Sequence, residues 1–388
     1  MSRPAAYLDH AAASPLDERV RAAMLPFLGE EFGSPSSLHE AGRGPAEAIE
    51  RAREEVAALA GCEPGWVVFT SGATEARALA VAGLLRANRA LGDRIALTAV
   101  EHPATLAACR AAERDGAALD RIPVDGLGAV AAADVAAVVG DDTALVCLVH
   151  GQPDIGTLQE LPPLIAAARA ARAEARVVVD AGETAGLVPL DAAALGADAL
   201  VLGGGPVGAP PWTGALLVRP GARLHPLIGG GAQEGGKRAG AQDVPGIVAL
   251  GTAARIAREE MAARAARCAA LAERLTRGLL AVPGVRLNGH PDRRIPGHVQ
   301  VSAGWVDGEA LTLALATRGV AASPGSACSA AGKAAPALEA IGLEPPWTHS
   351  AVLFTLRATT TEQEVDRAVA AFADAVAALR AMSPVAPS

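Results

Sequence analysis

The stretch RVVVDAGETAGLVPLDAAALGADALVLGGGPVGAPPWTGALLVRP, residues 176–220, decides the fold. It holds three strand-length runs, 176–179, 198–202 and 214–218, each short and apolar enough for a buried strand. Asp180 closes the first run, and a glycine- and proline-rich loop, 203–211, follows the second. In an open α/β sheet, ligands lie outside the carboxyl ends of the strands, so both positions point at a site.

Outward from that core, the same order of strand, small-residue turn and helix repeats. WVVFTSGATEA (66–76) runs from an apolar strand into a Gly-Ala-Thr turn, and a long Ala/Leu helix begins directly after it. Exposed amides at a helix start, with small residues allowing close approach, suit an anion; the same turn also reads as a plain helix cap. A strand at 94–99 leads to EHPATLAAC (101–109), where His102 stands at a helix start, a common place for a capping or surface histidine. The strand at 144–149 ends in HGQPDIGTLQ (150–159).

The composition bounds the class. The 388 residues suffice for a large domain and a smaller one. Apolar residues make up 51%, yet no run nears the roughly 18 consecutive apolar residues of a membrane span. The N-terminus lacks the layout of a secretion signal, so a cytoplasmic protein is expected. A net charge of −8 without a basic block argues against nucleic acid as a main partner. The five cysteines (62, 109, 147, 268, 328) are widely spaced, with no metal or disulfide pattern. Lysine occurs only at positions 237 and 333.

Taken together, these motifs resemble the cysteine desulfurases, pyridoxal-phosphate (PLP) enzymes of the class V aminotransferase fold. YLDHAAASP (7–15), FGSPSSLHEAG (32–42), IGGGAQEGGKRAGAQDVPG (228–246), ASPGSACSAAGKAAP (322–336) and HSAVLFTLRATTTEQEVD (349–366) fall in that family's order and spacing. The resemblance implies an α/β chain of PLP-transferase fold type I. Its large domain, 15–250, would carry a mostly parallel seven-stranded sheet. A small α/β domain would be built from 1–14 and 251–388 and would hold the cysteine loop.

By the same resemblance, Ala73 and Thr74 would hold the cofactor phosphate and His102 would stack on the pyridine ring. Asp180 would pair with the ring nitrogen, Arg238 would be retained in the loop that serves a partner subunit's cofactor site, and Cys328 would accept substrate sulfur. A small, buried, inert cysteine is the bland alternative for Cys328. No metal site is implied.

The departures are as informative. The family's Schiff-base lysine belongs in the 203–211 loop, and no lysine precedes position 237. Lys237 itself is an ordinary residue at its position. Pro153 stands for a cofactor-binding asparagine, and Glu183 for a glutamine that donates to the ring oxygen, which an ionised acid cannot do. Ala241 stands for a phosphate-binding threonine, and Leu353 for the arginine that grips the substrate carboxylate. Arg357, four residues on, cannot take that place in an extended strand.

The expectation is therefore a degenerate desulfurase homologue without ordinary desulfurase activity. It would act as a sulfur-accepting or partner subunit, with PLP bound non-covalently at most, or absent. It would be a homodimer or a heterodimer with an intact desulfurase, passing sulfur to acceptor proteins. Two alternatives stand beside this reading: an enzyme using non-covalent PLP on another substrate, and a pure binding scaffold.

Overall fold

The computed structural model describes residues 4–324 and 335–383, so Cys328 and Lys333 lie outside the described residues. The strands are, in chain order, β1 (Ala6–Tyr7), β2 (Val67–Thr70), β3 (Arg94–Thr98), β4 (Ala118–Ile122), β5 (Thr143–Val149) and β6 (Arg176–Asp180). They continue with β7 (Ala199–Gly203), β8 (Gly214–Val218), β9 (Val285–Leu287), β10 (His298–Ala303), β11 (Val320–Ala321) and β12 (Ala351–Thr355).

Seven of these form the central sheet in the order β2-β8-β7-β6-β5-β3-β4. The pairs from β7 to β4 are parallel, and β8 runs antiparallel to both its neighbours. Strands β5 to β8 are buried along their whole length apart from Arg176, as a parallel sheet covered by helices on both faces requires. The three runs of the 176–220 stretch thus become adjacent strands, and the sheet is the mostly parallel one that the sequence implies.

The parallel register sets the site. Val149 lies beside Asp180, and Asp180 beside Val201, so β5, β6 and β7 finish at one edge. His150, Asp180 and the turn after Gly203 leave the sheet there together.

Two smaller sheets complete the chain. Antiparallel β12, β10 and β9 form one, and β1 pairs in parallel with β11 to form the other. The N-terminal segment joins this part of the molecule: Ala6 and Leu8 share an apolar core with Val299, Val301, Phe354 and Phe372. The helix Val244–Leu280 connects the two regions. Its first half, Ile247–Ala257, packs in the core on one face of the central sheet, and Leu271, Leu275 and Leu279 pack in the smaller core. The expected division at 250/251 falls inside this helix. The C-terminal helix Glu362–Met382 starts at a capping box made by Thr361 and Glu364. Among the described residues, no helix is long and apolar enough to cross a membrane.

Candidate functional site at the carboxyl edge of the central sheet

Asp180 is the centre of the site, and it is 3% exposed. Its Oδ2 accepts from Arg77 Nε at 2.7 Å and from the Thr105 hydroxyl at 2.9 Å. Its Oδ1 accepts from Arg77 Nη2 at 3.1 Å and from the Gly182 amide at 3.0 Å. A carboxylate offers about four acceptor positions, and protein donors fill all four. Burial alone would push the Asp180 carboxyl up, but the Arg77 charge and hydrogen bonds outweigh it and hold the group below the usual carboxylate range.

Arg77 is itself 3% exposed, on the short helix Ala73–Ala78 that follows β2. Burial works against its charge, and Asp180 and Glu183 more than offset that. The backbone at Gly182 makes room for the guanidinium, since a Cβ there would lie 2.3 Å from Arg77 Nη2.

Two histidines flank this pair. His102 caps the helix Pro103–Arg114, its Nδ1 accepting from the Ala104 amide at 2.9 Å. The sequence leaves a capping role open, and the structure assigns it. The ring proton of the neutral form therefore sits on Nε2, which faces Glu183 Oε1 at 3.9 Å. Burial, then the Arg77 charge, lowers the His102 pKa to about 4. His150 Nδ1 hydrogen-bonds the Thr184 hydroxyl at 2.8 Å, and burial lowers its pKa to about 4 as well.

The carboxyls beside them shift the other way. Burial raises Glu183 above the ordinary range and takes Asp154 to about 7. For Glu183 the upward push of burial is opposed by the Arg77 charge and hydrogen bond.

The segment after β7 is not a loose glycine loop. Gly204–Val207 forms a short helical turn, and the Gly204 amide donates to Thr213 O at 2.9 Å. Arg357 reaches back across the site to tie this turn down. Its Nη1 donates to the Pro206 carbonyl and its Nη2 to the Gly205 carbonyl, each at 3.0 Å. Because Arg357 lies beyond the last residue of β12, it is free of the strand geometry that governs Leu353. Its side chain joins Glu183, Pro206 and His298 around a small crevice.

Ala73 and Thr74 open the helix Ala73–Ala78 after Gly72, whose φ of 131° suits glycine. Arg238 arrives at this helix from the 228–246 segment: its Nε and Nη2 donate to the Glu75 carboxylate at 2.9 and 3.3 Å. Glu75 also accepts from the Ser71 amide at 2.7 Å. Thus Ala73, Thr74 and Arg238 gather at one place, and His102 and Asp180 at another on the same sheet edge. Cys328 lies outside the described residues.

Sequence reasoning passes over Arg77 and Thr105, and treats Arg357 only as too distant. One signal for Arg77 is visible in retrospect. It is the one basic residue in the run EARALAVAGLL, where a buried position demands an acidic partner.

Comparison with known proteins agrees with this architecture. The family described as Aminotransferase class-V matches residues 6–368. Cysteine desulfurase IscS 1 of Archaeoglobus fulgidus is 37% identical over 380 residues, covering 98% of this chain and 99% of that protein. Cysteine desulfurase IscS of Methanosarcina thermophila is 36% identical over 384 residues, covering 99% and 95%. Among solved structures, a NifS-like protein superposes with a TM-score of 0.91 at 29% identity, covering 96% of this chain and all of that one (100%).

Proposed function

The chain belongs to the aminotransferase class-V family, and we propose that it is a cysteine desulfurase-like member without ordinary desulfurase activity, serving as a sulfur-accepting or partner subunit in sulfur transfer. The observation that carries this reading is the turn after β7. There, in place of an amine, the Pro206 and Gly205 carbonyls are held by the Arg357 guanidinium. An imine needs a primary amine, and a later proton shuttle needs a base in reach. Proline and glycine supply neither. Any PLP is then held non-covalently at most.

Sulfur acceptance needs no cofactor. In the proposed step, the Cys328 thiolate attacks the outer sulfur of a persulfide donor, and the donor's S–S bond breaks. The electron pair leaves with the donor thiolate, so Cys328 carries the new persulfide and nothing is oxidised overall. The partner is a second copy of this chain or an intact desulfurase. The segment 25–38 supports an interface, because Leu25, Leu28, Phe32 and Leu38 are all exposed.

Two measurements test the reading. Sulfide release from L-cysteine by the purified protein, with PLP added, should stay at the level of PLP alone. A sulfur-labelled low-molecular-weight persulfide should label the native protein and not Cys328→Ser. Turnover of cysteine overturns the loss of desulfurase chemistry, and equal labelling of both proteins overturns the sulfur-accepting role.

A further inference from the structure

A protonated pyridine ring is held in a protein by a carboxylate with an acceptor position to spare, and the charge of that carboxylate keeps the ring electron-withdrawing. Asp180 has the right place for this at the end of β6, yet it has no position left. Arg77 Nε and Nη2, the Thr105 hydroxyl and the Gly182 amide together saturate both oxygens. The residues therefore do not fit the cofactor as they stand. A guanidinium, flat and cationic, already sits where a flat cationic ring would meet the acid.

We propose that Arg77 is a built-in substitute for the pyridinium of PLP, seated on Asp180, and that it closes the site to the cofactor even in non-covalent form. The proposal rests on the reading that ordinary desulfurase chemistry is absent, and it adds the residue responsible for excluding the ligand.

Two observations besides the ion pair carry it. The first is Gly182, whose missing side chain is a cradle for the guanidinium, as a Cβ would approach Arg77 Nη2 to 2.3 Å and Cζ to 3.0 Å. Gly182 does not adopt the left-handed backbone that would call for glycine by itself, so the space explains it. The second is the way Arg77 engages the rest of the site. Its Nη2 also lies 3.4 Å from Glu183 Oε1, so one side chain spans both acids of the 180–184 turn. With Asp180 and Glu183 both engaged by Arg77, neither acid of the turn is left free to pair with a second cation.

The test uses pyridoxine 5′-phosphate, which keeps the ring nitrogen and the phosphate but cannot form an imine with Lys237 or Lys333. Equilibrium dialysis of the full-length protein reads binding without reference to activity. The wild type should show no binding up to about 100 µM. Arg77→Asn, which vacates the acid, should bind at least tenfold tighter than the wild type, and the gain should vanish in Arg77→Asn/Asp180→Asn. Gly182→Ala supplies a second route, because its methyl crowds the guanidinium (2.3 Å) more closely than Asp180 Oδ1 (2.9 Å), and it should gain binding as well.

Binding by the wild type with Arg77 in place overturns the proposal and leaves the sulfur-accepting reading standing. Folded Arg77→Asn and Gly182→Ala proteins that gain nothing also overturn it. So does failure of both variants to fold even when produced in excess pyridoxine 5′-phosphate, since the ligand should replace the guanidinium. Release of sulfide from cysteine by the wild type would instead sink the functional reading itself.

Discussion

Arg357 and Pro206 are 151 residues apart in sequence, yet the arginine Nη1 donates to the proline carbonyl at 3.0 Å. The bond joins the end of the small sheet's β12 region to the turn that follows β7. With the companion bond to Gly205, it makes one charged side chain the clasp of a glycine-rich turn. Hydrogen bonds to a charged group contribute about 1.5–3 kcal/mol each, with burial of the guanidinium offsetting part of this. Arg357→Ala should therefore lower the unfolding free energy by about 2 kcal/mol in urea titrations. It should also speed hydrogen exchange at the Gly208 and Ala209 amides, which close the turn onto Gly204. A loss too small to resolve, with unchanged exchange, would show that the turn holds itself.

A pH dependence follows from Glu101, which is buried at the start of the His102 segment. Its Oε1 accepts from the Thr98 hydroxyl and the Val149 amide, and its Oε2 has no partner among the described residues. Burial, then the nearby Asp180 charge, raises its pKa to about 8. An unfolded glutamate titrates near 4.3, so between about pH 4.3 and 8 the native state binds the extra proton. The stabilisation is complete below that window and is lost as pH rises through it, by at most about 1.4 kcal/mol per pH unit for one group. His102 and His150, lowered to about 4, add an opposite slope below about pH 6.5, so the Glu101 contribution is read as a difference between proteins. In urea unfolding at pH 5.5, 6.5 and 7.5, the wild type should lose stability relative to Glu101→Gln, which cannot ionise; an equal slope in both proteins would remove Glu101 as the cause.

Much of this was legible in the sequence, and the reason is physical. The strands β5 to β8 are short apolar runs buried on both faces, so composition and turn residues mark them without help from tertiary contacts. Asp180 is legible because strand-end position and acid chemistry coincide. Arg77, Thr105 and Arg357 are not, because their meaning depends on partners 103, 75 and 151 residues away. No local pattern encodes such pairs. Glu183 was legible as a residue, but the upward shift of its pKa was not, since that shift comes from burial that appears only in the folded chain. The glycine run reads only as a loop for a related reason: its order comes from backbone–backbone contact and from a distant arginine.

The exposed apolar segment makes an assembly prediction. Leu28 is 64% exposed and Phe32 80%, large values for side chains that gain from burial. Light scattering at micromolar concentration should give twice the mass of one chain. Leu28→Asp/Phe32→Asp should shift the protein toward monomer by at least tenfold in dissociation constant. A wild-type monomer with no partner added would argue against the homodimer and for the mixed pair with an intact desulfurase.

Thiol reactivity separates a sulfur relay from a scaffold. Thiolates react, and thiols shielded from water or raised in pKa do not. Cys109, Cys147 and Cys268 are each no more than 1% exposed. Burial raises the Cys268 thiol, and the neighbouring Cys109 together with burial raises Cys147. Cys62 is partly exposed, but burial, with Glu63 and Asp191 adding to it, takes its pKa to about 11. At pH 7.5 it is then almost wholly in the unreactive thiol form. All four described cysteines should therefore alkylate slowly in the native protein, at least tenfold slower than a free thiol of pKa about 8.5. The relay reading requires Cys328, in SPGSACSAAG, to be the exception. Timed iodoacetamide labelling followed by peptide mass analysis should find the fast phase on Cys328 alone, with unit stoichiometry, and should lose it in Cys328→Ser. A fast phase on Cys62, or no fast phase on any peptide, would remove the relay and leave the protein a partner whose sulfur chemistry is carried by others.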